Sequence, residues 1–188
     1  MKLKKMIKEF KPFNEQEKKD QEILLKYINT FDDVLTRANE FAHFTSSAIV
    51  LNKDRTKALM IYHNIYDSWG WPGGHADGEE DLLTVATREV QEETGVKTLK
   101  ALSEEIFLLD TLPVIGHFKR GKYVPAHIHL SIAYLIEADE FEELRIKEDE
   151  NSGVKWISLE EIVETSTEPY MKVVYQKAIE KLKAGFVK

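Results

Sequence analysis

A glycine-rich turn followed by a helix with three clustered glutamates occupies residues 74–96 of this chain. Apolar side chains recur at helical spacing over residues 81–94, and Gly95 is placed to end the helix as a C-cap. The anchoring face of this helix consists of Leu82, Leu83, Ala86 and Val90. The other face carries three carboxylates at i, i+3 and i+4, from Glu89, Glu92 and Glu93. The spacing predicts that all three project from the same side of the helix.

Three neighbouring carboxylates repel one another, and either exposure to water or a divalent cation relieves that repulsion. On helix spacing alone, a solvated glutamate face is the more common arrangement. If a cation is bound, oxygen ligands in a chain without cysteine favour Mg²⁺, with Mn²⁺ as the alternative. Arg88 precedes Glu92 by four residues and is placed to pair with a nearby carboxylate. Gly73 and Gly74 let the backbone approach a ligand closely, and a carbonyl there could complete a metal shell.

The same stretch resembles the Nudix box of a hydrolase family. The pattern is Gly, five residues, Glu, seven residues, Arg-Glu, an aliphatic residue, any residue, Glu-Glu, any residue, Gly and an aliphatic residue. The matching positions are Gly74, Glu80, Arg88, Glu89, Val90, Glu92, Glu93, Gly95 and Val96. The resemblance implies metal ligation by the carboxylates of Glu89, Glu92 and Glu93 and by the carbonyl of Gly73. It also implies that Arg88 orients the carboxylates and that Glu80 supports the junction between loop and helix.

The order of the elements predicts an α/β (α+β) fold, which the resemblance makes a Nudix-like α/β/α sandwich with a mixed sheet. We expect a helical N-terminal extension over residues 1–44, packed on a main domain of residues 45–188. In the extension, Asn14 and Glu17 form the pattern of a capping box. A second helix is expected near Thr30, with one face made of Phe31, Val34, Leu35 and Ala38. Strands are expected over 47–51, 58–62, 105–112, 127–136 and 154–158, helices over 159–164 and 168–184, and a loop over 69–74.

The composition limits the partners of the chain. Its net charge of −7 disfavours broad binding to nucleic acid, because an acidic surface repels a phosphate backbone. It has no apolar run of the ~18 residues that a membrane span requires. The absence of cysteine fits a cytoplasmic protein. We expect a small diphosphate substrate as the partner, and the N-terminal extension could serve either to form a homodimer or to cap the substrate cleft.

Candidate substrate-binding residues lie both in and outside the box. Gly74 and Trp69 belong to the glycine-rich loop, where an indole could stack on a base. His127 and His129 alternate on one strand face and could line a cleft, although a structural role is more common for such residues. Glu150 is a candidate base in an acidic turn that could equally be plain surface.

These observations predict an enzyme: a Nudix-type pyrophosphohydrolase in which water attacks phosphorus to cleave a diphosphate linkage. The substrate would be a nucleoside-diphosphate-linked small molecule or a nucleoside triphosphate, and the resemblance does not choose between them. The alternative is a ligand-binding or regulatory protein that keeps the fold without turnover, which a degenerate box would favour. An isomerase related to isopentenyl-diphosphate isomerase is excluded, since such enzymes rely on a cysteine and this chain has none.

Overall fold

The computed structural model describes residues 2–119 and 121–185 of the chain. Its helices are α1 (Lys2–Glu9), α2 (Glu15–Thr30), α3 (Leu82–Thr94), α4 (Ile162–Thr165) and α5 (Pro169–Lys183). Its strands are β1 (Ala42–Leu51), β2 (Lys57–His63), β3 (Ser68–Gly70), β4 (Gly73–His75), β5 (Leu99–Ala101), β6 (Leu108–Val114), β7 (His117–Lys119), β8 (Lys122–Val124), β9 (His127–Ala138) and β10 (Asn151–Ser158). Eight strands form a curled mixed sheet with the path β10-β2-β1-β9-β5, and β7 pairs with β8. The expected mixed α+β class is confirmed.

The chain divides into two compact units. The first takes its residues from 1–47, 73–86 and 105–134, and the second from 48–72, 87–104 and 135–188. Three elements, β1, α3 and β9, contribute residues to both units. The division into an extension of residues 1–44 and a main domain of residues 45–188 stays a prediction.

In the first unit, α1 packs on α2, and α2 packs on β6. Leu3 and Ile7 are fully buried, as i, i+4 partners on one face of α1. The Gln21 side chain donates to the carbonyls of Ile7 and Phe10 at 2.7 and 2.9 Å, which satisfies groups at the end of α1. Asp20 of α2 accepts from both the backbone N–H and the hydroxyl of Thr111, at 3.0 and 2.8 Å. These hydrogen bonds tie the N-terminal helices to the edge of β6.

The capping signal before α2 is confirmed. The Asn14 side chain accepts from the Glu17 N–H at 2.9 Å. In return the Glu17 carboxylate accepts from the Phe13 N–H at 2.7 Å, one residue earlier than the usual capping box. Glu17 is buried by this arrangement, which explains why an acidic side chain is tolerated there.

The second helix expected near Thr30 is wrong. Helix α2 ends at Thr30, and residues 31–41 form turns and bends. Asp33 accepts through its backbone from Thr36 at 2.9 Å and through its side chain from Asn39 at 2.9 Å. The Asn39 side chain also accepts from the Ala42 N–H at 3.1 Å. Such side-chain bonds to nearby backbone compete with helix formation, and they outweigh the apolar periodicity here.

The second unit is built on the antiparallel pairs β10–β2 and β2–β3 and on the part of β1 that pairs with β2. Helix α5 places Tyr175 against Trp71 with ring centroids 4.9 Å apart, edge to face. The glycine-rich loop expected over 69–74 contains parts of two short strands, β3 and β4, and the helix expected over 159–164 is confined to α4. In the part of the chain that the structure describes, no helix is long and apolar enough to cross a membrane.

Candidate active site

Helix α3 presents its three glutamates with graded burial. The side chain of Glu92 is 47% exposed, that of Glu89 is 14% exposed, and Glu93 as a residue is 2% exposed. The apolar face is anchored as expected by Leu82, Ala86 and Val90, with Val85 buried in addition and Leu83 only half-buried. Along α3, the carboxylates therefore range from the exposed Glu92 to the buried Glu93.

Glu89 lies in a setting that disfavours its charge. Burial raises the pKa of this carboxyl, and the neighbouring charge of Glu92 raises it further. Arg88 offsets part of this effect, with its guanidinium 3.4 Å from Glu89 and 4.0 Å from Glu92. One partly exposed arginine thus faces two carboxylates, in the orienting position that the sequence predicts.

A lysine outside the box brings a fourth carboxylate to this helix. The Lys147 ammonium is 3.0 Å from Glu92 and 2.8 Å from Glu150. Burial alone would lower the pKa of Lys147, but its hydrogen bonds to Glu150 and Glu92 outweigh burial and raise that pKa. The structure therefore places Glu150, one of the candidate residues, next to the carboxylates of α3. Sequence reasoning missed Lys147, because it lies 55 residues from Glu92 along the chain.

Asn151 fixes the loop that carries Lys147 and Glu150. It is fully buried, and its amide donates to the Glu93 carbonyl at 3.0 Å. Its side-chain oxygen accepts from the Lys147 N–H at 3.3 Å. Asn151 thereby joins the last turn of α3 to the segment that begins β10.

The residues at the start of the box lie in the first unit. Strand β4 pairs with β1, with Gly74 opposite Ser46 and Gly73 opposite Ser47. A Cβ at Gly73 would lie 2.7 Å from the Ser46 carbonyl oxygen and 2.8 Å from the Ser47 Cα, so only glycine allows this close pairing. Glu80 is exposed in the segment before α3. Their roles toward a metal or a substrate stay predictions.

Trp69 lies in β3, and its ring already has protein neighbours. The Lys155 ammonium is 4.3 Å from the ring centroid, and Tyr62 packs edge to face at 5.3 Å. Gly153 also lies against the ring, since an added Cβ there would be 3.0 Å from it. A base that stacks on Trp69 would have to use the surface that these residues leave open.

His127 and His129 are brought together with two further histidines, His43 and His75, in the first unit. Burial lowers the pKa of His75 to about 3, with the positive charge of Arg37 adding to the effect, and burial among the other histidines lowers the pKa of His129 to about 2. Burial likewise lowers the pKa of His43. The His75 and His129 rings are therefore neutral at pH 7. Sequence reasoning missed His43 and His75, which the pairing of distant strands brings to this cluster.

The donor set of α3 fits a hard divalent cation. Its side chains offer carboxylate oxygens alone, which are the ligands that Mg²⁺ and Mn²⁺ prefer. Burial, with the charge of Glu92 in second place, raises the pKa of Glu89 despite Arg88, and a bound cation would favour the charged form of this carboxylate. Glu89, Glu92 and Glu93 are the residues that would hold it.

Known proteins share this architecture and part of the sequence. The solved Ap4A hydrolase of C. elegans superposes with a TM-score of 0.55 at 20% identity, covering 76% of this chain and 98% of that one. An RNA pyrophosphohydrolase of Pelagibacter ubique is 32% identical over 139 residues, which are 72% of this chain and 87% of the relative. One from Sphingopyxis alaskensis is 30% identical over 120 residues, which are 61% of this chain and 75% of the relative.

The fold and these relatives define the class of the protein, an enzyme that hydrolyses pyrophosphate bonds. The model of the NUDIX domain matches residues 42–178. The chain belongs to the Nudix family, whose members generally use a divalent metal. The predicted family and type of enzyme are confirmed.

Proposed function

We propose that this protein is a Mg²⁺-dependent pyrophosphohydrolase, with Mn²⁺ as the alternative ion. Its substrate would be a nucleoside-diphosphate-linked small molecule or a nucleoside triphosphate, cleaved by water attack at phosphorus. The proposal is carried by the complete box, in which Glu89, Glu92 and Glu93 recur at i, i+3 and i+4 along α3. A complete box also argues against the alternative of a regulatory protein that has lost turnover.

The side chains of α3 have separate parts in this reaction. When bound, Mg²⁺ would neutralise the diphosphate oxygens and lower the pKa of the attacking water. The glutamates hold the ion, and a carboxylate accepts the proton of the water. Arg88 keeps two of those carboxylates in place, Glu89 through a charge-assisted hydrogen bond and Glu92 through an ion pair. Lys147 holds Glu150 next to Glu92, so that Glu150 is available as an additional base.

The named activities of the relatives widen the substrate panel. Proteins at 30% and 32% identity are called RNA pyrophosphohydrolases, and a 5′-triphosphate of RNA has the same phosphate chain as a nucleoside triphosphate. The acidic charge of −7 disfavours long contacts with an RNA backbone. We therefore expect a mononucleotide derivative to be cleaved faster than a triphosphorylated RNA.

The test is phosphate release, coupled to excess phosphatase where the product requires it. The panel consists of nucleoside triphosphates, ADP-ribose, a dinucleoside tetraphosphate and a 5′-triphosphorylated RNA oligonucleotide. Each substrate is measured with Mg²⁺, with Mn²⁺ and with EDTA. We expect metal-dependent cleavage of one class well above the others. A folded, metal-binding protein that releases nothing from the whole panel would contradict the proposal.

The matched variants are Glu93→Gln and Glu160→Gln, which make the same chemical change at different places. Glu93 is buried on α3, whereas Glu160 is exposed after β10. We expect Glu93→Gln to abolish turnover while circular dichroism shows a folded protein, since one ligand charge is removed with little change in shape. Glu160→Gln should keep the parent rate. Full activity of Glu93→Gln with Mg²⁺ would rule out Glu93 as a ligand.

A further inference from the structure

Four of the six histidines of the chain meet at one place in the first unit. His43 lies on β1, His75 on β4, and His127 and His129 on β9. Thr45 of β1 is paired with His75, so His75 shares the sheet face of Thr45 and hence of His43. His127 and His129 share a face because side chains alternate along a strand. Three strands thus direct four imidazoles to a common point.

The nitrogen atoms are close enough for one metal ion. One ring nitrogen from each histidine lies within 4.8 Å of the other three. Nε2 of His127 and Nε2 of His129 are 3.2 Å apart. A tetrahedral zinc ion with Zn–N bonds of about 2.0–2.1 Å separates its ligands by roughly 3.3–3.4 Å. The Nε2 atoms of His127 and His129 are therefore already about as far apart as two zinc ligands. Two nitrogens at the 4.8 Å limit of the cluster would have to approach each other by about 1.4 Å.

The tautomers of two rings are fixed with a lone pair toward this point. His43 Nδ1 donates to the Asn39 carbonyl at 2.9 Å, and His127 Nδ1 donates to the Pro125 carbonyl at 2.8 Å. A carbonyl can only accept, so in the neutral form of each ring the lone pair is on Nε2. A backbone carbonyl that accepts the second N–H is the usual support of a histidine that binds a metal.

His43 supplies a second observation that points to a ligand. The residue is 4% exposed, and its buried Nε2 has no hydrogen-bond partner in the described part of the chain. Its ring stacks on that of His127, with centroids 4.9 Å apart and an interplanar angle of 28°. A hydrogen bond from His129 to His127 would account for their short contact, but it leaves the His43 lone pair buried without a donor. A metal ion satisfies all of these nitrogens together.

We propose that the four histidines bind one Zn²⁺ ion. Neutral imidazoles suit zinc and other late transition metals, whereas Mg²⁺ requires oxygen ligands. Four protein ligands leave no open position, so the ion is structural. It holds β4, and with it Gly73 just before the box, against β1 and β9. The site uses none of the carboxylates of α3 and does not depend on the proposed substrate.

The test is a titration of the full-length, folded protein, made without a polyhistidine tag and stripped of metal with EDTA. Co²⁺ is added in the presence of excess Mg²⁺, which occupies the carboxylates. Tetrahedral Co²⁺ with nitrogen ligands absorbs visible light intensely, whereas octahedral Co²⁺ on carboxylates absorbs weakly. We expect one equivalent of Co²⁺ to give the intense spectrum and Zn²⁺ to displace it.

Two ligand variants and one control identify the site. His43→Gln and His129→Gln should lose the intense spectrum and bind Zn²⁺ at least ~100-fold more weakly. Loss of a residue that only hydrogen-bonds to a metal ligand already lowers metal affinity by ~10–100-fold. His63→Gln, which removes a histidine of the second unit, should bind as the parent does. Circular dichroism checks folding, and if one ligand variant does not fold, the other decides. A parent protein with only the weak spectrum, or an intense spectrum kept by a folded ligand variant, would overturn the proposal.

Discussion

Replacement of Asn151 by alanine tests whether the loop of Lys147 and Glu150 is positioned through α3. The variant loses the hydrogen bond to the Glu93 carbonyl and the one from the Lys147 N–H, but it keeps the backbone bond from Asn151 to Lys147 at 2.8 Å. Glu93 is in the last turn of α3, where a helix leaves its carbonyls without an intrahelical donor. The asparagine therefore satisfies a buried group that the helix itself cannot.

The cost follows from these two bonds. Each buried hydrogen bond that is lost with one partner left behind destabilises a protein by about 1–3 kcal/mol. Asn151→Ala should thus lose roughly 2–6 kcal/mol of unfolding free energy. For a chain of 188 residues this lowers the midpoint of thermal unfolding by about 4–24 °C. Because the Asn151 link between Glu93 and the Lys147 segment is lost, kcat/KM should fall by about 10–100-fold, as for other supports of metal ligands.

Asn52→Ala is the matched control, measured beside Asn151→Ala by thermal unfolding and by steady-state kinetics well below both midpoints. Asn52 is also buried, and its side chain accepts from the N–H groups of Thr56 and Lys57 at 2.9 Å each. We expect a similar loss of stability with kcat/KM unchanged, since this turn follows β1 and carries no box residue. Equal kinetics for the two variants would refute the positioning argument.

Two further substitutions probe other contacts. Gly73→Ala should lower the free energy of unfolding, measured in urea, by about 1–3 kcal/mol. The added Cβ would lie 2.7–2.8 Å from the backbone of β1, so β4 would have to move. A variant as stable as the parent would show that β4 is not closely paired. Lys147→Met should lower the Mg²⁺ concentration for half-maximal activity by about threefold to tenfold. In the parent, the ion pairs of Lys147 with Glu92 and Glu150 compete with Mg²⁺ for these carboxylates, and each pair is worth up to ~1 kcal/mol. An unchanged or higher requirement in a Mg²⁺ titration would contradict that competition.

The helix of the box could be predicted because its signals are local. The carboxylates of Glu89, Glu92 and Glu93 lie within five residues, and Gly95 ends the helix with a φ of +77°. Its N–H donates to the Gln91 carbonyl at 3.0 Å, as a C-cap requires. What periodicity does not determine is burial, since the exposed fraction of each carboxylate depends on the elements packed around it.

The errors arose where side chains form specific bonds or where distant strands pair. Asp33 and Asn39 replace the expected helix with turns, although Val34 is buried as the apolar pattern predicts. The strand that carries His127 and His129 was predicted together with its face. The other half of the cluster depends on the register that pairs Thr45 with His75, thirty residues apart in the chain. No sequence period encodes that register.

The two ligand sets differ in a way that keeps their metals apart. Zinc binds most sites more tightly than magnesium does, so a carboxylate site with a histidine or cysteine in it would tend to select zinc. The side chains proposed as metal ligands on α3 provide oxygen alone, and the histidine cluster provides nitrogen alone. Excess Mg²⁺ should therefore compete with Zn²⁺ for the carboxylates of α3 without displacing Zn²⁺ from the histidines. If Zn²⁺ inhibits turnover, Mg²⁺ should reverse the inhibition in competition, while the Zn²⁺ held by the histidines stays bound.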